Sequence, residues 1–402
     1  MCQVLGRGDA VEYDRLVAGE RREEIDHRAI ARIDQKGMVP GVHKNPAGNL
    51  LDQREIHHHA VGRIPGLVDH FAGERNLERV AVAVQVTALA LMIRNAVARV
   101  EFEAAGNLHG KDRDKNSARL YHCRMLTTED HRRDRTGMTY VYPVVSRRAG
   151  GVSIGINLNT DNACNWACIY CQVDNLKRGS PPPVDLGLLR LELEGFLAEA
   201  IDGDWMTRHV PVSDRRLVDI AFSGNGEPTC AAEFEECVAI AGEVLLERAL
   251  LPQVRLRLIT NGSQFHRLRV QRGVALLGEH GGEVWFKLDR VGASATRAVN
   301  GVGLQPEKVL TNLRQSIRLA NTWVQTCWFG LDGAVPTANE RSEYCRLLAQ
   351  VADGIAGIHL YGLARPSMQG GATRLSRLPH SELEDFATEI QKKTGVRVII
   401  TP

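Results

Sequence analysis

The stretch "VSIGINLNTDNACNWACIYC" occupies residues 152–171, and its two halves ask for different structures. Residues 152–158 are an apolar run of strand length, rich in β-branched side chains. Residues 164–171 place Cys164, Cys168 and Cys171 at the spacing C-x3-C-x2-C. A strand that runs directly into a cysteine loop sets the thiols at its C-terminal end. In open α/β sheets and βα barrels, that is the end where ligands bind.

Downstream the alternation repeats. Strands are expected at 217–224, 254–262, 283–289, 323–331 and 357–364, with a closing strand at 396–401. Helices are expected between them: one carrying Leu186, Leu189, Leu193, Phe196 and Ala200 on one face, then 231–249, 265–279, 306–320 and 338–352. A last helix is read from "SELE" (381–384), where Ser381 and Glu384 fit a capping box. Several strands read as apolar on both faces, as in a parallel sheet covered by helices. Six βα units indicate an α/β fold, a partial (β/α)6 TIM-like barrel. A doubly wound open sheet is the alternative.

The chain has 402 residues, 44% hydrophobic and 24% charged, with a formal net charge of +2. Such a balance gives no reason by itself to invoke a polyanion partner, although "HRRDR" (131–135) is locally basic. The longest apolar stretch, 80–93, is too short for a bilayer span, and no secretory leader opens the chain. Nine unevenly spaced cysteines suggest a reducing cytoplasm rather than a secreted disulfide framework. The first 124 residues differ in composition: they hold no tryptophan but eight of the fourteen histidines, including "HHH" at 57–59. That triplet reads as exposed histidine rather than a metal site, and 76–104 as a helix. Either 1–124 is an accessory domain, or it is an extension upstream of a true start at Met125 or Met138; the second is the expectation. The remaining division is a lead-in at 125–149, a core at 150–365 and a helix–strand extension at 366–402.

Three close thiols call for a metal centre. A structural zinc would want a fourth ligand, and Cys230 and Cys237 cannot both turn from one helix toward the same point. A cubane iron–sulfur cluster normally takes four thiolates, so three leave one iron open. At this spacing, with Tyr170 just before the last cysteine, the motif resembles the signature of radical S-adenosylmethionine enzymes. The resemblance spans about residues 150–365. It implies a single 4Fe-4S cluster on Cys164, Cys168 and Cys171, with S-adenosylmethionine chelated at the fourth iron. The implied reaction is reductive cleavage to methionine and a 5′-deoxyadenosyl radical, which takes a hydrogen atom from a substrate. It also implies a reductant such as flavodoxin or ferredoxin. Tyr170 is then expected to pack near the adenine, and Trp166 to shield the cluster.

"SGNGEPT" (223–229) ends the second expected strand and is similar to the family's glycine-rich element for the methionine amino group. Gly224 and Gly226 would let the backbone approach the ligand, Glu227 would supply charge, and Pro228 suits the first turn of a helix. Asn225 stands where the family pattern has glycine. This form is similar to radical enzymes related to the wyosine-forming tRNA modifiers. Asn261 and Asp289, at the next two strand ends, are candidate cofactor contacts. Lys287, Gln325 and Arg365 are candidate contacts to substrate or cofactor. Cys230, Cys237, Cys327 and Cys345 read as inert buried thiols. The substrate stays open between an RNA base, a peptide or protein, and a metabolite. A non-catalytic iron–sulfur or zinc protein, for electron transfer or scaffolding, is the competing class.

Overall fold

The computed structural model describes residues 125–127 and 136–401. The histidine triplet at 57–59, the helix read at 76–104 and the basic segment 131–135 lie outside the described residues.

Eight strands form one sheet, numbered here in both chain and spatial order: β1 (Val141–Ser146), β2 (Gly151–Ile156), β3 (Leu217–Phe222), β4 (Arg255–Thr260), β5 (Glu283–Lys287), β6 (Asn321–Cys327), β7 (Gly357–Tyr361) and β8 (Val398–Thr401). β1 pairs antiparallel with β2, and every later pairing is parallel. The connecting helices are α1 (Leu186–Ile201), α2 (Trp205–His209), α3 (Phe234–Glu247), α4 (Leu268–Glu279), α5 (Ala293–Asn300), α6 (Pro306–Leu319), α7 (Ala338–Ala349) and α8 (His380–Thr394). Ile154, Phe222, Leu258, Val284, Val324 and Leu360 point from successive strands into a single core with the helices. The other face closes on itself: Val144, Ser153, Asp219, Arg257 and Trp285 line one cavity. The sheet is therefore a curled partial barrel, and the doubly wound alternative falls away.

Two local expectations are corrected, on strand faces and on a helix cap, and one strand is added. The strands are not apolar on both faces; Ser153, Asp219, Arg257, Glu283, Gln325 and His359 alternate inward and are buried. The lead-in holds β1, and at its entry the Thr139, Tyr140 and Val141 amides donate to the Glu192 carboxylate of α1 at 2.6, 2.8 and 3.2 Å. The capping box at Ser381 does not form, because α8 already starts at His380 behind Pro379. Glu384 instead lies 3.4 Å from His380. A capping box does open α7, between Thr337 and Glu340.

Inside the barrel, aromatic rings pack on one another. Trp285 and His359 have centroids 4.5 Å apart, and His359 and Trp323 4.6 Å. The Arg257 guanidinium stands 4.2 Å from the Trp285 centroid and Arg397 4.5 Å from that of Trp323. Burial, aided by Arg148, Arg257 and Arg397, holds the His359 imidazole down at about 4, with Glu283 opposing. The folded pKa lies below the unfolded value of about 6.5, so the unfolded chain binds the extra proton between them. This stabilising contribution is therefore complete above about pH 6.5 and is lost as pH falls toward 4. Urea unfolding at pH 7 and pH 4.5 should show the parent losing roughly 2–3 kcal/mol more than His359→Phe. Equal losses would show that the imidazole already protonates in the folded chain.

Candidate functional site

The cysteine loop leaves β2 through a run of asparagines that carry its hydrogen bonds. Asn157 Oδ1 accepts from the amides of Asn159 and Asn225 at 3.2 and 2.9 Å. Asn159 Nδ2 donates to the Ala163 carbonyl at 2.8 Å, and Asn162 takes a left-handed φ of 64°. These short amide side chains stand in for a turn's backbone partners. Ala163–Cys164 then pairs in parallel with Lys177–Arg178.

Two distant segments grip the loop from either side. The amides of Ala167 and Ile169 donate to the carbonyls of Asn300 and Val299 at 3.0 and 2.8 Å. Asn300 Nδ2 also donates to Cys168 Sγ at 3.3 Å. On the far side, Ser367 Oγ donates to the Ile169 carbonyl at 2.7 Å, Met368 N to that of Cys171 at 2.9 Å, and Gln369 Nε2 to that of Val173 at 2.8 Å. Cys164, Cys168 and Cys171 are thereby held as free, half-buried thiols on the wall of a cavity of about 940 Å³. Burial pushes Cys164 up to about 11 and Cys168 up to about 12, and the neighbouring Cys171 adds to both. Lys287 pulls the other way on Cys168. Among the described residues, no three His, Cys, Asp or Glu side chains converge on one point suited to a single ion.

The glycine loop abuts this wall. Gly224 has φ +150°, and a Cβ there would meet Asn157 Oδ1 at 2.3 Å. At Gly226 a Cβ would meet the Ala163 carbonyl at 2.1 Å. The space that glycine leaves at 226 is thus filled by the cysteine loop itself. Asn225 Nδ2 donates to Asn162 Oδ1 at 2.7 Å and reinforces the same contact.

Glu227 is turned inward. Its carboxylate accepts from Thr229 Oγ1 at 2.5 Å, Thr260 Oγ1 at 2.6 Å, and the Thr229 and Asn261 amides at 3.2 and 2.6 Å. Burial pushes its carboxyl above the usual range, and these four donors pull it back. The carboxyl group therefore joins the end of β3 to the end of β4, and Ser223, Gly224, Asn225 and Gly226 line the cavity beside it. Pro228 opens a short 3₁₀ turn, Pro228–Cys230, capped by Glu227.

The other candidates separate into two groups. Asn225, Asn261, Lys287, Arg365 and Tyr170 line the cavity with the three thiols. Asn261 also donates to Asn165 Oδ1 at 2.8 Å, tying its strand end to the cysteine loop. Asp289 and Gln325 do not line it. Asp289 accepts from Tyr170 Oη at 2.5 Å, Asn300 Nδ2 at 2.8 Å and the Cys327 amide at 2.9 Å. Gln325 is 1% exposed, with Nε2 unpartnered. Tyr170 is fixed edge-on to Phe329 at 5.5 Å, with the Lys287 ammonium 5.1 Å from its centroid. Cys230, Cys237, Cys327 and Cys345 are buried free thiols. Sequence reading missed Asn157, Asn159, Asn300 and the 367–369 clamp. The asparagine-rich run 157–165 was the one local signal for the first two.

No family model and no curated protein matches the sequence. Solved structures do. Those it is similar to include radical S-adenosylmethionine enzymes. A radical SAM methyltransferase from Sphaerobacter thermophilus matches with TM-score 0.43 and 12% identity, over 65% of this chain and 68% of that one. The coproporphyrinogen III oxidase of Escherichia coli, a radical SAM enzyme, matches with TM-score 0.37 and 12% identity, over 59% of this chain and 51% of that one.

Removing the Glu227 carboxylate would strand four buried donors. Glu227→Ala is expected to lower unfolding stability by about 3 kcal/mol or more, read by urea titration. A loss under about 1 kcal/mol would mean that water replaces the carboxylate and that the strand ends do not depend on it.

Proposed function

We propose that the protein is a radical S-adenosylmethionine enzyme whose single 4Fe-4S cluster is held by Cys164, Cys168 and Cys171. The observation that carries this reading is three free thiols on one loop, at the C-terminal end of the first parallel strand, facing a cavity that the glycine loop also lines. The donor set suits the cluster. Burial keeps Cys164 and Cys168 protonated in the bare protein, so cationic iron is what would make them thiolates. Three such ligands leave one iron for the amino and carboxylate groups of S-adenosylmethionine. When bound, cluster and cofactor supply reductive cleavage to a 5′-deoxyadenosyl radical.

The chain's own residues orient and enclose. Asn300 aims an amide at Cys168 Sγ, the kind of outer contact that tunes a metal-bound sulfur. Trp166, 5% exposed, keeps water from the inner side of the loop. The carbonyls of 224–227 and the Asn225 side chain are the acceptors for the ammonium group. Tyr170 offers its ring to the adenine, its hydroxyl being tied to Asp289. Lys287 and Arg365 stand on the cavity wall as cations for a carboxylate. Flavodoxin or ferredoxin in the cytoplasm supplies the electron.

The test is anaerobic reconstitution. Protein should hold about four iron and four sulfide per chain, and on reduction with S-adenosylmethionine it should release 5′-deoxyadenosine. Cys164→Ala, Cys168→Ala and Cys171→Ala should each lower that release by more than about 100-fold, beyond what losing an outer partner does. Cys230→Ala and Cys237→Ala should leave the cluster spectrum unchanged. One zinc per chain without sulfide would end this reading.

A further inference from the structure

The cavity reaches well below the cysteine loop. Its inner wall is built by Arg148 from the β1–β2 turn and by Ser153, Asp219, Arg257 and Trp285, which lie before the ends of their strands. At about 940 Å³ it is near the top of the range of roughly 300–1,000 Å³ for small-molecule sites. That is room for a cofactor at the mouth and a second small molecule beneath it.

The polar groups of this inner end do not balance. Asp219 accepts from Ser153 Oγ and from Arg257 Nη1. Glu283, behind it, accepts from Arg255 and, at 3.2 Å, from Arg257 Nη2. The acids are answered; the donors are not. Arg148 Nη1, Arg257 Nε and Trp285 Nε1 are buried without an acceptor. Arg257 is 8% exposed and Trp285 3%. Among the described residues, Arg148 has no carboxylate within salt-bridge distance; its guanidinium lies 4.7 Å from the Tyr361 centroid and 5.5 Å from that of Trp285. With Arg148 and Arg257 both over its ring, Trp285 presents its N–H edge as its polar group. Two unpartnered amide oxygens, Asn159 Oδ1 and Gln264 Oε1, belong to loops at the opposite, cysteine-loop end, and a single ring nitrogen, His359 Nδ1, is unpartnered on the imidazole packed against Trp285.

Each stranded donor costs about 1–3 kcal/mol, and a surplus cation adds to that. Three donors and one unanswered positive charge are the complement of a small anion with two or more oxygens. We propose that the inner end of the cavity is the substrate pocket and that it takes a small molecule bearing a carboxylate or phosphate, held by Arg148, Arg257 and Trp285. The name "substrate" rests on the radical reading above; the anion site rests on the donors alone. Arg148 is the principal ligand, because its planar fork meets two oxygens at once.

The experiment uses anaerobically reconstituted protein and calorimetric titration with sodium benzoate, inorganic phosphate and the neutral benzamide. At least one anion should bind about tenfold or more tightly than benzamide, and which one does assigns carboxylate or phosphate. Arg148→Gln should weaken that anion by at least about tenfold, and Trp285→Phe, which keeps the ring but not the N–H, by roughly three- to tenfold. If Arg148→Gln does not fold, Arg148→Lys and Trp285→Phe carry the same comparison, with Lys keeping charge but not the fork. Benzamide binding as tightly as the anions, no anion binding at all, or variants that bind like the parent would overturn the proposal. Release of 5′-deoxyadenosine by the parent in the same preparation reads the radical assignment separately. Release without anion binding rejects the pocket alone. Anion binding lost in the variants, with no release by the parent, keeps the anion site and rejects the radical reading.

Discussion

Two buried carboxylates hold the mouth of this barrel together. Asp289 joins the end of β5 to the cysteine loop, to α5 and to the end of β6 through Tyr170, Asn300 and the Cys327 amide. Glu227 does the same between β3 and β4. Burying a carboxylate is costly unless its oxygens are filled. Here they are filled by hydroxyls, amides and backbone N–H groups rather than by a bidentate cation. That choice fixes geometry at four strand ends. Cations stand at both ends of the cavity, Lys287 beside the cysteine loop and Arg148 at the inner end, so it is the surplus of donors that sets the inner end apart.

The strand-then-cysteine reading of 152–171 was enough to place the thiols, because strand direction alone determines which end of the sheet a following loop occupies. The same logic put 223–229 beside them. The barrel itself was legible from alternation, with its boundaries off by two to four residues where strand ends run into binding loops. What periodicity did not reveal was the inward face. "LVDIAF" and "EVWFK" read as apolar runs, yet Asp219, Glu283 and Lys287 sit on the inward parity. A polar residue every second position is the signature of a lined cavity, and in so short a strand it amounts to one or two letters. β1 was missed for a different reason: it is an edge strand defined by its partner β2 and by Glu192, whose bonds to Thr139, Tyr140 and Val141 span 51 to 53 residues.

The site residues that escaped notice share one property: their role depends on contacts far along the chain. Asn300 closes α5, and its side chain meets Cys168 and Asp289. Ser367, Met368 and Gln369 come after the last strand of the six-unit core, yet bond to the cysteine loop. No local spacing announces such partners. Ser381 shows the converse, since a four-residue pattern that fits a capping box loses to a helix that starts one residue earlier behind a proline.

Gly226 shows how one glycine can have a structural reason beside the one its motif suggests. Glycine at that position suggests a backbone that must come close to something. The sequence motif suggests a ligand; the structure adds the Ala163 carbonyl of the cysteine loop. The two reasons are mechanically linked. With Gly226 against Ala163 and Asn225 bonded to Asn162, the glycine loop and the cysteine loop form one wall. A displacement of either loop would therefore move both the thiols and the acceptors proposed for the methionine end. Chelation at a shared iron requires those two sets to keep a fixed separation. Direct packing of Gly226 on Ala163, fastened by short asparagine side chains, achieves this.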